Sequence, residues 1–377
     1  MRGLWLAVLF ATACEGTAPV GGDANGGGDG GDGSMMIDAS TQPTRFVAYI
    51  SGGANIDWYD VNKMTGALTP ISSIAAFRTG ANFLAFHGDY LYAVTSGNRV
   101  GAYSIDPATA SLTFINDVAS AGTGPAHVSV DGTGKYVFTA NYGSGHIGVF
   151  AVQASGGLAA ASQTILAGAN AHQIDADPSN KFVVVPCLGD DKVAQYVFNA
   201  TTGMLTANAV PQVDTANGAG PRHISFAPDG KRAFLINELN STLSPMSFDD
   251  VMGRLTAIHT VSTRASGAMG TNTTAEVVVH PNGKFVYGSN RGDNNIVVFS
   301  IDAGTGMVTV VEHESTQGMT PRNFTIDPTG TLLYAANQNS NSVVPFAIDV
   351  NTGRLSPTAS PITVPTPQFV GIVALPL

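Results

Sequence analysis

Arg222 and Glu238 each stand eight positions from Gly230, at the two ends of an apolar stretch. Hydrophobic residues alternate on both sides of Pro228-Asp229-Gly230, a pattern that predicts two strands, His223–Ala227 and Arg232–Ile236, joined by a tight turn. Antiparallel pairing sets residues equidistant from the turn side by side, so a guanidinium and a carboxylate are expected together at the open end of a hairpin. Guanidinium forks match carboxylates and phosphates. A carboxylate or imidazole next to such a fork can accept a proton.

The same hairpin recurs along the chain. The residue that ends its second strand is Ser51, Thr95, Asn141, Cys187, Asn237, Asn290 and Asn337, at spacings of 44, 46, 46, 50, 53 and 47. A third apolar strand follows each copy where the pattern is clearest, at Ile147–Val152, Val193–Phe198, Ile296–Ile301 and Val343–Ile348. Turns of the type D-x-x-T-G-x-L then open a fourth strand, as in Asp60–Leu68, Asn199–Leu205, Asp302–Val308 and Asp349–Leu355. Four strands at a period of about 45 residues predict propeller blades. The first copy, from Arg45, begins too late to contain its own inner strand, and the apolar segment Phe369–Leu375 has no partner of its own. Placing that C-terminal strand in the first blade closes the ring and removes the free edges. The expected fold is therefore all-β, a seven-bladed β-propeller of four-stranded blades over residues 42–377.

In a propeller the first strand of each blade lines the axis, and the loops before it and after the second strand open on one face. Read through the copies, the Arg222 position gives Gly80, Ala126, His172, Ala275 and Arg322, and the Glu238 position gives Gly52, Ser96, Tyr142, Leu188, Arg291 and Gln338. One mouth of the channel should then carry His172, Arg222, Arg322, Arg291, Glu238, Tyr142 and Gln338. One residue further in, the register reads His127, Gln173, His223, Glu276 and Asn323. Three guanidiniums around a cleft favour an anionic ligand. His172, Arg222, Glu238 and Arg291 are the expected catalytic set, with His127, Tyr142, His223, Arg322 and Gln338 expected to touch substrate. The blander readings are an Arg222–Glu238 pair that braces one blade, and His127 and His223 as hydrogen-bonding residues between blades. His87, His146, His259, His280 and His313 fall outside both registers and are expected to be structural.

Other chemistries find no support. His172 lies in a different blade from His223 and Glu238, and no H-x-x-x-H or C-x-x-C spacing calls for a metal. There is no G-x-S-x-G elbow and no phosphate-cradling loop, and no cofactor is required. Cys187, at a position mostly held by Asn, is expected to be a packed thiol, since no activating base is evident. A formal net charge of -10 argues against a nucleic-acid partner. Low charge, 12%, with 44 Gly and 20 Pro suits many short strands and tight turns. A closed ring of seven blades needs no partner for stability, so a monomer is expected.

The first residues read as an export signal over 1–13, with Met1-Arg2 followed by the apolar Gly3–Phe10. Ala11-Thr12-Ala13 before Cys14 fits either simple cleavage or a lipobox in which Cys14 is lipidated. Residues 14–41 are expected to form a tether, since eight of the thirteen residues Gly21–Gly33 are Gly and three are Asp. The expected location is outside the cytoplasm, with membrane attachment only through the lipid at Cys14.

Several stretches resemble the propeller lactonase family, which contains the bacterial cytosolic 6-phosphogluconolactonase and the fungal carboxy-muconate lactonising enzyme. They are G-P-A-H-V-S-V-D-G-T-G-K-Y-V-F-T-A-N-Y-G-S-G (124–145), G-A-G-P-R-H-I-S-F-A-P-D-G (218–230) with N-E-L-N-S-T (237–242), S-N-R-G-D-N-N-I (289–296), and P-R-N-F-T-I-D-P-T-G (321–330) with A-N-Q-N-S-N-S-V (336–343). The resemblance spans residues 45–377. It implies a seven-bladed propeller that opens or closes a lactone ring, with site roles falling on His172, Arg222, Glu238 and Arg291. In a hydrolytic version Glu238 or His172 would take a proton from water, while Arg222 and Arg291 hold the anionic group and the developing oxyanion. Two departures stand out. Cys187 replaces the Asp usual before Leu-Gly, and Asp293 replaces the His common after N-R-G, which puts a negative charge near the anion site. Both, together with export, point away from a phosphorylated substrate. The competing reading is a surface-tethered binding propeller without catalysis.

Overall fold

In the computed structural model of the protein, which describes residues 44–78 and 80–377, the hairpin that carries Arg222 and Glu238 has a shifted register. Strands Pro221–Phe226 and Arg232–Asn237 pair antiparallel, with His223 opposite Ile236 but Pro221 opposite Asn237. Arg222 is thus the extra residue of a β-bulge. The expectation that Arg222 and Glu238 are ladder neighbours is corrected: the Glu238 N–H donates to Gly220 O at 2.7 Å. A bulge frees two successive residues from strict alternation, and both Arg222 and His223 line the channel.

The same irregularity falls between Ala81 and Phe83, Pro125 and His127, Thr274 and Val277, and Pro321 and Asn323, and at Gln368 in the closing strand. It puts Asn82, not Gly80, at the Arg222 position of the second blade. The slip has a simple cause: Phe83 and Thr95 are 12 residues apart, whereas His223 and Asn237 are 14 apart, so that hairpin is shorter.

The chain folds as a seven-bladed all-β propeller. In the first blade the C-terminal strand Pro367–Pro376 takes the innermost place and pairs with Thr44–Gly52, which pairs in turn with Asn55–Val61 and Leu68–Ala75. The closing strand is longer at both ends than the apolar run predicts. In the fifth and seventh blades the outermost strand is broken in two, Arg254–Ala257 with Val261–Ser262 and Leu355–Pro357 with Ile362–Thr363. The fourth blade has the weakest inner strand, Asp175–Ala176, extended by a bridge from Ala171 to Cys187. Among the described residues the helical segments are the 3-10 turns Leu188–Asp190 and Gln338–Ser340. The export signal, the tether and Cys14 lie outside the described residues.

Local chemistry explains the turns. The Oδ1 atoms of Asn62, Asp106, Asn199, Asp249, Asp302 and Asp349 each accept two backbone N–H groups of the turn before the fourth strand. Between blades, both faces of each sheet bury aliphatic and aromatic side chains, and each buried Leu, Ile, Val or Phe contributes roughly 1.5–3 kcal/mol. Buried tyrosines fasten neighbouring blades: Tyr49, Tyr92, Tyr287 and Tyr334 donate to the carbonyls of Ala110, Gly156, Gly353 and Gly66. The last of these crosses from the seventh blade to the first.

Candidate active site

Glu238 bridges two arginines of adjacent blades. Its Oε2 lies 3.0 Å from Arg222 Nε, within the fifth blade, and its Oε1 lies 2.9 Å from an Arg291 Nη in the sixth. The first of these is an ion contact off the N–H direction rather than an aligned hydrogen bond. Each arginine is also tied to backbone: Arg222 donates to Ala275 O at 2.6 Å and Arg291 to Thr274 O at 2.9 Å. Arg222 is only 2% exposed. Burial, then Arg322 and Arg291, push its guanidinium down to about 9, against the pull of Glu238 and Glu276, which leaves it charged at pH 7. Arg322 lines the same small cavity as Arg222 and is likewise lowered, first by burial.

Below the mouth a layer of side chains closes the channel. Phe83, His127, Gln173, His223, Glu276, Asn323 and Phe369 come from seven blades. Phe83 packs on Phe369 and His127 with ring centroids 4.5 and 4.2 Å apart, and His127 packs on His223 at 5.7 Å. His223 Nδ1 donates to Glu276 Oε1 at 2.7 Å, and Asn323 Nδ2 donates to Glu276 Oε2 at 2.6 Å. Gln173 bonds the backbone of Ile224 in both directions. Beneath this septum lies a cavity of ≈ 490 Å³ that reaches Asp175. Burial raises the Asp175 carboxyl to about 7.

The imidazoles are kept neutral. Burial first, with the nearby Arg222 adding to it, holds His172 and His127 well below the ordinary histidine value. His223 is lowered by burial against the pull of Glu276. Burial alone would raise Glu276, yet its carboxyl is lowered. With His223 neutral, hydrogen bonds from His223, Asn323 and the Val277 N–H, and the nearby Arg222, hold that charge. Around the channel, the buried ring nitrogens His127 Nδ1, His172 Nδ1 and His223 Nε2 have no partner.

The expected residues thus divide. The structure brings His172, Arg222, His223 and Arg322 to one cavity, and joins Glu238 and Arg291 to Arg222 through ion contacts. Tyr142, 38% exposed, packs edge-on over His172 with centroids 5.6 Å apart. His127 belongs to the septum rather than the mouth. Gln338 opens the turn Gln338–Ser340 through its backbone N–H to Thr320 O and takes no part in the mouth's hydrogen bonds. Cys187 is a packed thiol, fully buried, and burial pushes it up to about 12.

Asp293 does not stand as a free charge. Arg264 grips it in a two-pronged pair, Nε to Oδ2 at 2.9 Å and an Nη to Oδ1 at 2.7 Å. Sequence reading missed Arg264 because it lies 29 residues away, in the segment that joins the fifth blade to the sixth. It also missed Asn82 and Gln368, which line the cavity beside His172 and Arg222. A register set on the bulge rather than on the turn would have found both. Among the described residues no group of three or more His, Cys, Asp or Glu side chains is placed to hold a metal ion.

Residues 41–372 match the family described as Lactonase, 7-bladed beta-propeller. The chain belongs to this family. Among curated lactonase relatives, the 6-phosphogluconolactonase of Pectobacterium carotovorum subsp. carotovorum is 33% identical over 193 residues, 51% of this chain and 58% of the relative. The match therefore spans little more than half the length of that relative. Among solved structures, the periplasmic gluconolactonase PpgL of Pseudomonas aeruginosa superposes with a TM-score of 0.81 at 27% identity, covering 88% of this chain and 100% of that one. A protein from Lactobacillus plantarum superposes with a TM-score of 0.80 at 29% identity, covering 88% and 100%.

Proposed function

We propose that this propeller hydrolyses a sugar-type lactone at the mouth formed by His172, Arg222, Glu238 and Arg291. The observation that carries the reading is Glu238 shared between two arginines of adjacent blades, in a chain of the lactonase family. Opening a lactone needs stabilisation of the tetrahedral oxyanion and a proton acceptor for water. Buried guanidiniums suit the first task, and one such donor supplies about 3 kcal/mol in comparable sites. In this reading Arg222, Arg291 and Arg322 hold the developing oxyanion and any anionic group of the substrate.

Glu238 then serves to aim the guanidiniums. Both of its carboxylate oxygens already face guanidiniums, so it is not the group that takes the proton from water. A neutral imidazole of the cavity takes that role. Tyr142 and His172 form the wall against which the ring of the lactone lies. No cofactor is needed for this chemistry.

The resemblance to a periplasmic gluconolactonase supports a location outside the cytoplasm, and with it an unphosphorylated lactone as substrate. The test is acid release by the purified protein against gluconolactone, 6-phosphogluconolactone and muconolactone, with a Glu238→Gln, Arg222→Ala double variant in parallel. Turnover above the spontaneous rate, lost in the variant, is expected, with gluconolactone preferred. A folded protein that accelerates none of them would instead be a binding propeller.

A further inference from the structure

His223 is the one histidine among the described residues in contact with a carboxylate. Carboxylates only accept hydrogen bonds, so the 2.7 Å contact of Nδ1 with Glu276 Oε1 puts the ring hydrogen on Nδ1 and leaves a lone pair on Nε2. That nitrogen is buried and has no partner, on a residue 2% exposed. Glu276 is itself fixed by Asn323 Nδ2 at 2.6 Å and the Val277 N–H at 3.0 Å. His223 lines the cavity between the mouth arginines and the septum, and not the larger cavity below. The upper cavity measures ≈ 10 Å³, room for one water molecule.

We propose that His223, oriented by Glu276, is the base that takes the proton from the attacking water, and that the small cavity is where that water sits. The proposal rests on the lactonase reading above. The water oxygen bonds to the lactone carbonyl carbon while its proton passes to His223 Nε2. The ring C–O bond then breaks, and the departing alkoxide takes the proton back from Nε2. Lactone and water give the hydroxy acid, with no other reactant.

The alternatives fit less well. Glu238 is already shared by two guanidiniums. Arg222 and Arg322 oppose protonation of both His172 and His223, but His172 has no carboxylate contact to offset them. The groups facing His223 are Phe83 and His127 from the second and third blades, His172 from the fourth, Arg222 in its own strand, Glu276 from the sixth and Arg322 from the seventh. Glu276 alone among them stabilises an imidazolium.

The test is Glu276→Gln in the full chain, which keeps the shape and removes the charge, with His223→Gln beside it. For Glu276→Gln we expect kcat to fall about 10²-fold with KM changed less than threefold. The acid limb of the kcat/KM profile should move to lower pH, since glutamine no longer favours the protonated ring. NMR of ¹⁵N-histidine-labelled protein should show Nδ1–H on His223 in the wild type and a titration midpoint lowered in the variant. A base at His172 would leave the limb in place. Wild-type turnover with an unmoved limb and unchanged kcat in Glu276→Gln overturns the dyad alone. No turnover by the wild type overturns the lactonase reading, and the base with it.

Discussion

Arg222 reaches Glu238 from a β-bulge and not from the opposite rung of a ladder. Its Nε lies 3.0 Å from Oε2, while the residue itself is 2% exposed and its Nη donates to Ala275 O. The bulge is what lets one strand send two consecutive side chains, Arg222 and His223, into the channel. In the fifth blade one backbone irregularity therefore feeds both layers of the channel.

Removing the Glu238 charge should loosen both arginines. Loss of one partner of a fully buried pair costs about 3–5 kcal/mol. Glu238 keeps 19% of its side chain exposed, so the expected cost of Glu238→Gln is about 2 kcal/mol. Thermal unfolding should show a Tm lower by several degrees, and lactone turnover should fall at least tenfold. An unchanged Tm would mean that the pair is decorative.

Asp175 should make the fold less stable as pH rises. Its folded pKa, about 7, lies above the unfolded value near 4, so its contribution is fully present below about pH 4 and is lost as pH rises through 7. Asp175→Asn should match the wild type at pH 4 and exceed it at pH 8. The cavity beneath the septum leaves this side chain partly wetted, so the gain should be about 1–2 kcal/mol rather than the full linkage value. Urea titrations at both pH values measure it, and equal differences at the two would count against the buried carboxylic acid.

Cys187 should be inert. Its thiol is fully buried and pushed to about 12, with Sγ 3.4 Å from Val185 O. Peptide mapping after iodoacetamide treatment should find it unlabelled in the native protein and labelled after unfolding. Cys187→Ala should cost about 1 kcal/mol of packing and leave kcat within twofold.

Truncation after Thr366 should abolish the closed ring. It removes the strand that pairs with Thr44–Gly52 and uncovers an edge containing the buried Ala48 and Ile50. Size-exclusion chromatography should find aggregate in place of a single species, and circular dichroism should find no cooperative transition. A folded, soluble truncation would show that the blades hold together without that clasp.

Some of this is written in the local sequence. Strand alternation, the Asp or Asn of each turn and the seven-fold spacing act over a few residues, so the propeller and its closing strand were legible without coordinates. So was the gathering of Arg222, Glu238, Arg291, Arg322 and His172, because equivalent positions of repeated blades face one axis. The bulge was not, since an extra residue at the end of a strand leaves the apolar pattern unchanged. That is why the second blade read as Gly80 instead of Asn82, and why Gln368 went unnoticed.

Arg264 and Asp293 make the same point about charge. Asp293 read alone is a negative charge beside an anion site, and only the folded chain supplies its guanidinium. Glu276 likewise is a polar residue in a register until His223 and Asn323 arrive from blades on either side. Sequence by itself determined which residue types reach the axis, because periodicity 2 and the blade repeat fix that. The tertiary structure decided which of their charges are already neutralised and which lone pair is left open, because those depend on contacts between residues tens of positions apart.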